Sequence, residues 1–216
     1  LDEHTHPTSS FPLVGVPSRT RISPDGRLFS WTVFVQGDSY NGGRFSTRSG
    51  TYDARHDDLV GTLEDWHITV EGKPYHAADL NFWGVTFAAD DRTFYATMST
   101  AGERYLVRGN LAAHTLATVH RNVECPSLSP DGSRIAFKKQ IGRGWHFAVL
   151  DLTTGEETLL AEQRSIDDQL AWLDDETVLY GVRRDARHAD VWSVPADGSG
   201  TPTLVVPDAD SPASIR

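Results

Sequence analysis

Four pairs of adjacent carboxylates, Asp57-Asp58, Asp90-Asp91, Asp167-Asp168 and Asp174-Asp175, are the groups in this 216-residue chain best suited to chemistry. Paired carboxylates can act as general acid and base or supply oxygen ligands to a hard divalent cation. His4 and His6 alternate as two metal ligands on one strand face would, but they sit in a polar, turn-rich terminus that reads as a flexible segment. Cys125 is the single cysteine, which excludes an internal disulfide and a cysteine-rich zinc site. The chain contains no Gly-x-Ser-x-Gly elbow, His-Glu-x-x-His pair, Walker loop or dinucleotide fingerprint.

The elements that carry the acidic pairs separate them. Ile22-Ser23-Pro24-Asp25-Gly26-Arg27-Leu28-Phe29 and Leu128-Ser129-Pro130-Asp131-Gly132-Ser133-Arg134-Ile135-Ala136-Phe137 each read as a strand, a tight turn and a second strand. Pro presets φ for the turn, Asp bonds its own backbone, and Gly accepts positive φ. Eroded copies surround Asp90-Asp91 and Asp174-Asp175, so those two pairs are turn residues, and Asp57-Asp58 lies in the turn before an outer strand. The turn aspartates Asp25, Asp90, Asp131 and Asp175 stand 65, 41 and 44 residues apart, and two of these spacings match a propeller blade. A second strand pair follows each turn unit, as in Trp145 to Leu150 and then Thr158 to Leu160. Four strands per repeat is the blade of a β-propeller.

The expected fold is therefore all-β, a β-propeller of four-stranded antiparallel blades. Four blades are recognisable plus one extra N-terminal strand, around Phe11 to Val16. Either they form a small closed ring or they are part of a five- or six-bladed ring. Residues 1–17 read as a polar N-terminal segment with one edge strand, 18–207 as the propeller domain and 208–216 as a C-terminal tail. The 65-residue spacing is accounted for by an insertion from Trp66 to Leu80, read as a small β-hairpin. Phe29, Trp31, Phe94, Ile135, Phe137, Phe147, Leu179 and Trp192 are expected in the packing.

The stretch Leu128-Ser129-Pro130-Asp131-Gly132-Ser133-Arg134-Ile135-Ala136-Phe137 resembles the TolB-like, WD-like propeller repeat of bacterial extracytoplasmic proteins. Asn81 to Phe87 and Val123 to Gly132 also resemble segments of actinobacterial TolB-like proteins of unassigned role. The resemblance implies an extracytoplasmic location, secreted or in the cell envelope. Because the chain starts at Leu1, it also implies an export segment removed upstream. It brings no functional residues.

The formal charge of −10 argues against a nucleic-acid partner, because neutralising phosphate needs clustered Lys and Arg. No run of 18 apolar residues is present, so membrane insertion by a helix is not expected. The oligomeric state is not legible.

Two candidate sites follow. Asp167-Asp168 precedes the innermost strand of blade four, where Asn81 and Glu124 hold the equivalent places in blades two and three. Innermost strands line the central channel, so Glu124, Asp167 and Asp168 are candidate ligands for a calcium or magnesium ion. The second site is the face bearing the loops after the second strands, where residues 36–44 and the insertion both add length. Asp38, Tyr40, Arg44, Trp66, His67, Tyr75, His76 and Trp83 are its candidate contact residues, mixing aromatic anchors with charges. The expected function is a non-enzymatic propeller without cofactor that binds a protein, peptide or cell-envelope partner through this face. The alternative is a hydrolase or lyase using channel carboxylates and a bound divalent cation.

Overall fold

A computed structural model describes residue 10 and residues 12–37, 45–60 and 62–214. Four antiparallel sheets are set radially as the blades of a β-propeller. Blade one contains β1 (Val16–Ile22), β2 (Leu28–Gln36), β3 (Ser46–Asp53) and β4 (Asp58–Val60) in that order. After a single 3₁₀ turn, Leu63–Asp65, come β5 (His67–Val70) and β6 (Lys73–Tyr75). Blade two proper is β7 (Asn81–Phe87), β8 (Thr93–Thr100), β9 (Glu103–Asn110) and β10 (Thr115–Arg121). Blade three is β11 (Glu124–Leu128), β12 (Arg134–Ile141), β13 (Gly144–Asp151) and β14 (Glu157–Leu159). Blade four is β15 (Ala171–Trp172), β16 (Thr177–Arg183), β17 (Ala189–Pro195) and β18 (Thr203–Val206). No helix among the described residues is long and apolar enough to cross a membrane.

The Ser-Pro-Asp-Gly turns explain their own sequence. The Ser129 hydroxyl donates to Asp131 Oδ1 at 2.6 Å and accepts the Arg134 amide at 2.9 Å, while the Ser133 amide donates to the same carboxylate oxygen. Ser23 and Asp25 repeat this arrangement. These bonds, the Ser129 hydroxyl's first among them, hold the Asp131 carboxyl down at about 2. The arginine after each of these turns reaches the next blade. Arg27 Nη2 donates to the Asp91 carbonyl at 3.2 Å, and Arg134 donates to the Asp175 carbonyl. Short turns tied to one another thus form the rim of this end of the propeller.

The core lies between blades rather than in one central layer. Leu28, Leu63, Phe82, Phe87 and Phe94 pack between blades one and two, Leu106, Val123, Ile135 and Phe137 between two and three, and Phe147, Trp172 and Tyr180 between three and four. β2 is buried continuously from Ser30 to Phe34 rather than at alternate residues, so both of its faces are covered. Trp31, Phe94, Ile135, Phe137, Phe147 and Leu179 are buried as expected. Phe29 and Trp192 are only half-buried.

Two expectations change. The segment Phe11 to Val16 was expected to supply a separate strand. Phe11 lies outside the described residues, 12–14 are not strand, and Val16 is already the first residue of β1, the inner strand of blade one. Pro12 cannot donate to a ladder, and Gly15 turns the chain at φ 138. The expected tail is not detached: the Asp208 amide donates to Asp190 Oδ1, and the Ser214 hydroxyl donates to the Trp172 carbonyl.

The insertion forms the expected hairpin, and its position is specific. β5 pairs parallel with β10 and β6 antiparallel with β5, so blade two becomes a six-stranded sheet with order β6-β5-β10-β9-β8-β7. Lys73 and Pro74 then occupy the new edge, where a charge and a missing donor discourage further pairing.

Candidate functional site

The inner strands β1, β7, β11 and β15 line the channel. Three carry a register shift: Pro17/Arg19 in β1, Trp83/Thr86 in β7 and Glu124/Ser127 in β11. At the two neighbouring shifts Gly84 has φ 64 and Cys125 φ 49, and a Cβ on Gly84 would lie 2.9 Å from the Cys125 Cα. Glycine is required there because the backbones of blades two and three touch. Buried Cys125 is held by its amide, which donates to Thr97 Oγ1 at 2.9 Å.

Arg19 and Arg21, two residues apart on β1, face the same side and cross the channel. Arg19 Nη1 donates to Gln169 Oε1 at 3.0 Å, and Arg21 Nη2 donates to the Leu170 carbonyl at 2.8 Å. They tie the first inner strand to the segment preceding the fourth. Around them lies a cavity of about 760 Å³ that includes Thr86, Ser127, Asp168, Gln169 and Trp172 in its walls. A second cavity of about 640 Å³ opens at the loop end and shares Ser18, Arg19, Asp168 and Ser211 with the first. Arg164, Asp167, Arg183 and Asp210 stand around this mouth.

The three candidate metal ligands reach different partners. Glu124 is buried at 2% exposure and pairs with Arg104 and, at 3.6 Å, with Lys138 Nζ. Asp167 pairs with the same Lys138, whose Nζ stands 4.7 Å from the centre of the Trp145 ring. Burial opposes the charge on Lys138, but Cys125, Asp167 and Glu124 outweigh it and raise its pKa. Burial pushes Glu124 upward against the pull of Lys138 and Arg104. Asp168 Oδ2 instead accepts the Gly181 amide at 2.6 Å, and burial raises its pKa too. Among the described residues no group of three or more His, Cys, Asp or Glu side chains is arranged to hold a metal ion. The sequence did not reveal Lys138 and Arg104 as the partners of these carboxylates. Only strand pairing brings Lys138 opposite Glu124.

The candidate contact residues divide between the two ends. Asp38, Tyr40 and Arg44 lie outside the described residues. Trp66 and His67 are at the Asp-Gly turn end rather than the loop end: the Trp66 ring stacks on His114 at 4.9 Å, and the His67 amide donates to the His114 carbonyl. The reason is that β5 runs parallel to β10 and so starts at that end. Trp66 is buried against Phe94, and Trp83 is fully buried with its ring 5.6 Å from that of Phe45. Neither indole is presented to a partner, because each fills the space between blades one and two. The Tyr75 side chain reaches back to the loop end. Half-buried Tyr75 shares a hydrogen bond with Thr100, and His76 is exposed.

Residues missed in the sequence are Arg19, Arg21, Arg164 and Arg183. The alternation of Arg19 and Arg21 on an inner strand was the available signal.

A polar channel through radially packed four-stranded sheets defines the class, a β-propeller. No family model matches the chain, and no curated protein matches it. Solved structures do. The chain is similar to TolB from Acinetobacter baumannii, with TM-score 0.63 and 20% identity over 95% of this chain and 47% of that one. It is similar to a TolB from Agrobacterium tumefaciens, with TM-score 0.58 and 13% identity over 86% of this chain and 63% of that one. An oligogalacturonate lyase in complex with manganese aligns with TM-score 0.53 and 15% identity over 87% of this chain and 51% of the lyase. These likenesses are of fold. The chain spans about half the length of the first of these proteins.

Proposed function

We propose that this propeller, in an extracytoplasmic setting, binds a protein, peptide or cell-envelope partner at the loop end of its channel and performs no catalysis of its own. The observation that carries the reading is the contrast between its two ends. The cavity of about 760 Å³ reaches the turn end, where Ser23, Pro24, Gly26, Thr86, Ser127 and Trp172 wall it without an acidic side chain, whereas the loop end opens into the cavity of about 640 Å³ ringed by charges of both signs. A concave site with a few placed polar groups is the usual form of a binding site. The fold shared with TolB proteins supports the same reading. The test is capture from envelope extract with Arg183→Glu at the mouth and Arg92→Glu at the turn end. Both side chains are exposed. Loss of capture in the first and not the second is expected, and the reverse outcome places the binding face at the turn end.

A second reading, a hydrolase or lyase with a channel cation, draws on the likeness to the lyase held in complex with manganese and on Asp168, which forms no ion pair among the described residues. Titrating calcium, magnesium and manganese while following thermal unfolding tests it. A saturable rise in melting temperature that Asp168→Asn removes would favour this reading.

A further inference from the structure

We propose that Arg21, with Arg19 beside it, holds a carboxylate group of a peptide that enters the channel from the loop end. The inference rests on the partner-binding reading and adds the chemistry recognised. Arg21 lines the cavity of about 760 Å³ and forms no ion pair with a carboxylate among the described residues; its hydrogen bond goes to the Leu170 carbonyl. A guanidinium has five donors, and half-buried Arg21 meets one described acceptor, which leaves most of its fork for an anion. Burial lowers its pKa and the Arg19 charge lowers it further, the signature of two cations sharing a poorly solvated space.

The acids nearby do not supply the missing charge. Asp167 is taken by Lys138, and Asp210 pairs with Arg183 at 3.2 Å. Asp168 is the acid in the field of both arginines, but burial raises its pKa and its Oδ2 is held by the Gly181 amide. In a chain with a formal charge of −10, Arg21 thus has no acid paired with it among the described residues. The guanidinium fork matches the two coplanar oxygens of a carboxylate, and the shared wall at Arg19 and Asp168 gives such a group a route from the mouth.

The carboxylate could be a chain terminus or an acidic side chain, and the probes separate these sources. N-acetyl-Gly-Ser-Ala-Ala as the free acid, its C-terminal amide, the amide with Asp as last residue, and inorganic phosphate are each titrated calorimetrically into the 216-residue protein. One or both acidic peptides should bind at least about tenfold more tightly than the neutral amide, a preference that salt weakens. Arg21→Gln should abolish that preference and Arg21→Lys should keep part of it. Arg19→Gln, which leaves the Leu170 tie in place, should reduce it if Arg21→Gln does not fold. If the neutral amide binds as tightly as the acids, the carboxylate assignment is overturned while partner binding at the mouth stands. If phosphate binds and no peptide does, or if none of the four binds, the assignment is likewise overturned, and capture at the mouth decides the broader reading separately.

Discussion

Glu64 offers the sharpest test of the physical reasoning, because it is a carboxylate placed where none is comfortable. It lies in the 3₁₀ turn between blades one and two, and both of its oxygens are buried without a hydrogen-bond partner. Burial pushes its pKa from 4.5 up to about 8. The amides of Glu64 and Ser49 approach without hydrogen-bond alignment, and the Arg48 charge offsets only part of the penalty. Between those two pH values the folded state keeps a proton that the unfolded state has lost, so stability falls as pH rises from about 4.5 to about 8, and the penalty is complete above that. At about 1.4 kcal/mol per unit the ceiling is about 5 kcal/mol, and local relaxation that admits water would reduce it to about 2 kcal/mol. Glu64→Gln removes the charge at nearly constant volume. The cost of burying its amide is independent of pH, so it cancels when the wild-type–variant difference is compared between two pH values. Urea unfolding of both proteins at pH 5 and pH 8.5 should show the variant gaining about 2 kcal/mol on the wild type at the higher pH. A difference between the proteins that stays constant within about 0.5 kcal/mol across the two pH values would refute the argument, since such a carboxylate would have to be solvated or paired.

Three other outcomes are expected. Gly109→Ala would place a Cβ 2.2 Å from ring atoms of Phe94, which is confined by Trp66 and Phe87, and should cost about 1–3 kcal/mol in chemical denaturation. Trp172→Phe removes the indole N–H that donates to the Ser127 carbonyl at 2.8 Å between blades three and four, and should lower stability by about 1–3 kcal/mol by the same measurement. Asp131, held at about 2 against 3.8 unfolded, contributes stability that is present above pH 3.8 and lost as pH falls toward 2. The gap in melting temperature between wild type and Asp131→Asn should therefore narrow over that range, and a gap that persists at pH 2 would show that shape rather than charge matters.

The repeat was legible in the sequence because a tight turn is a local problem. Ser129-Pro130-Asp131-Gly132 carries its own dihedral preferences and hydrogen bonds, so it announces a strand pair wherever it occurs, and its spacing announces the blade. The hairpin at residues 67–75 was legible for the same reason. What those strands pack against was not. β2 is covered on both faces, so Val33 and Phe34, which point to opposite sides, are equally hidden. The insertion was assigned to the loop end as a whole, because nothing local says that β5 will pair parallel to β10 and start Trp66 at the other end. The channel shows the same limit. Glu124, Asp167 and Asp168 were picked out by counting strands, but the cations that claim two of them, and the arginines that cross from β1, bridge 14 to 150 residues of chain. Local dihedral preference writes turns and strands into sequence, whereas charge pairing across a propeller depends on which blade arrives beside which, and that is decided only when the sheets pack.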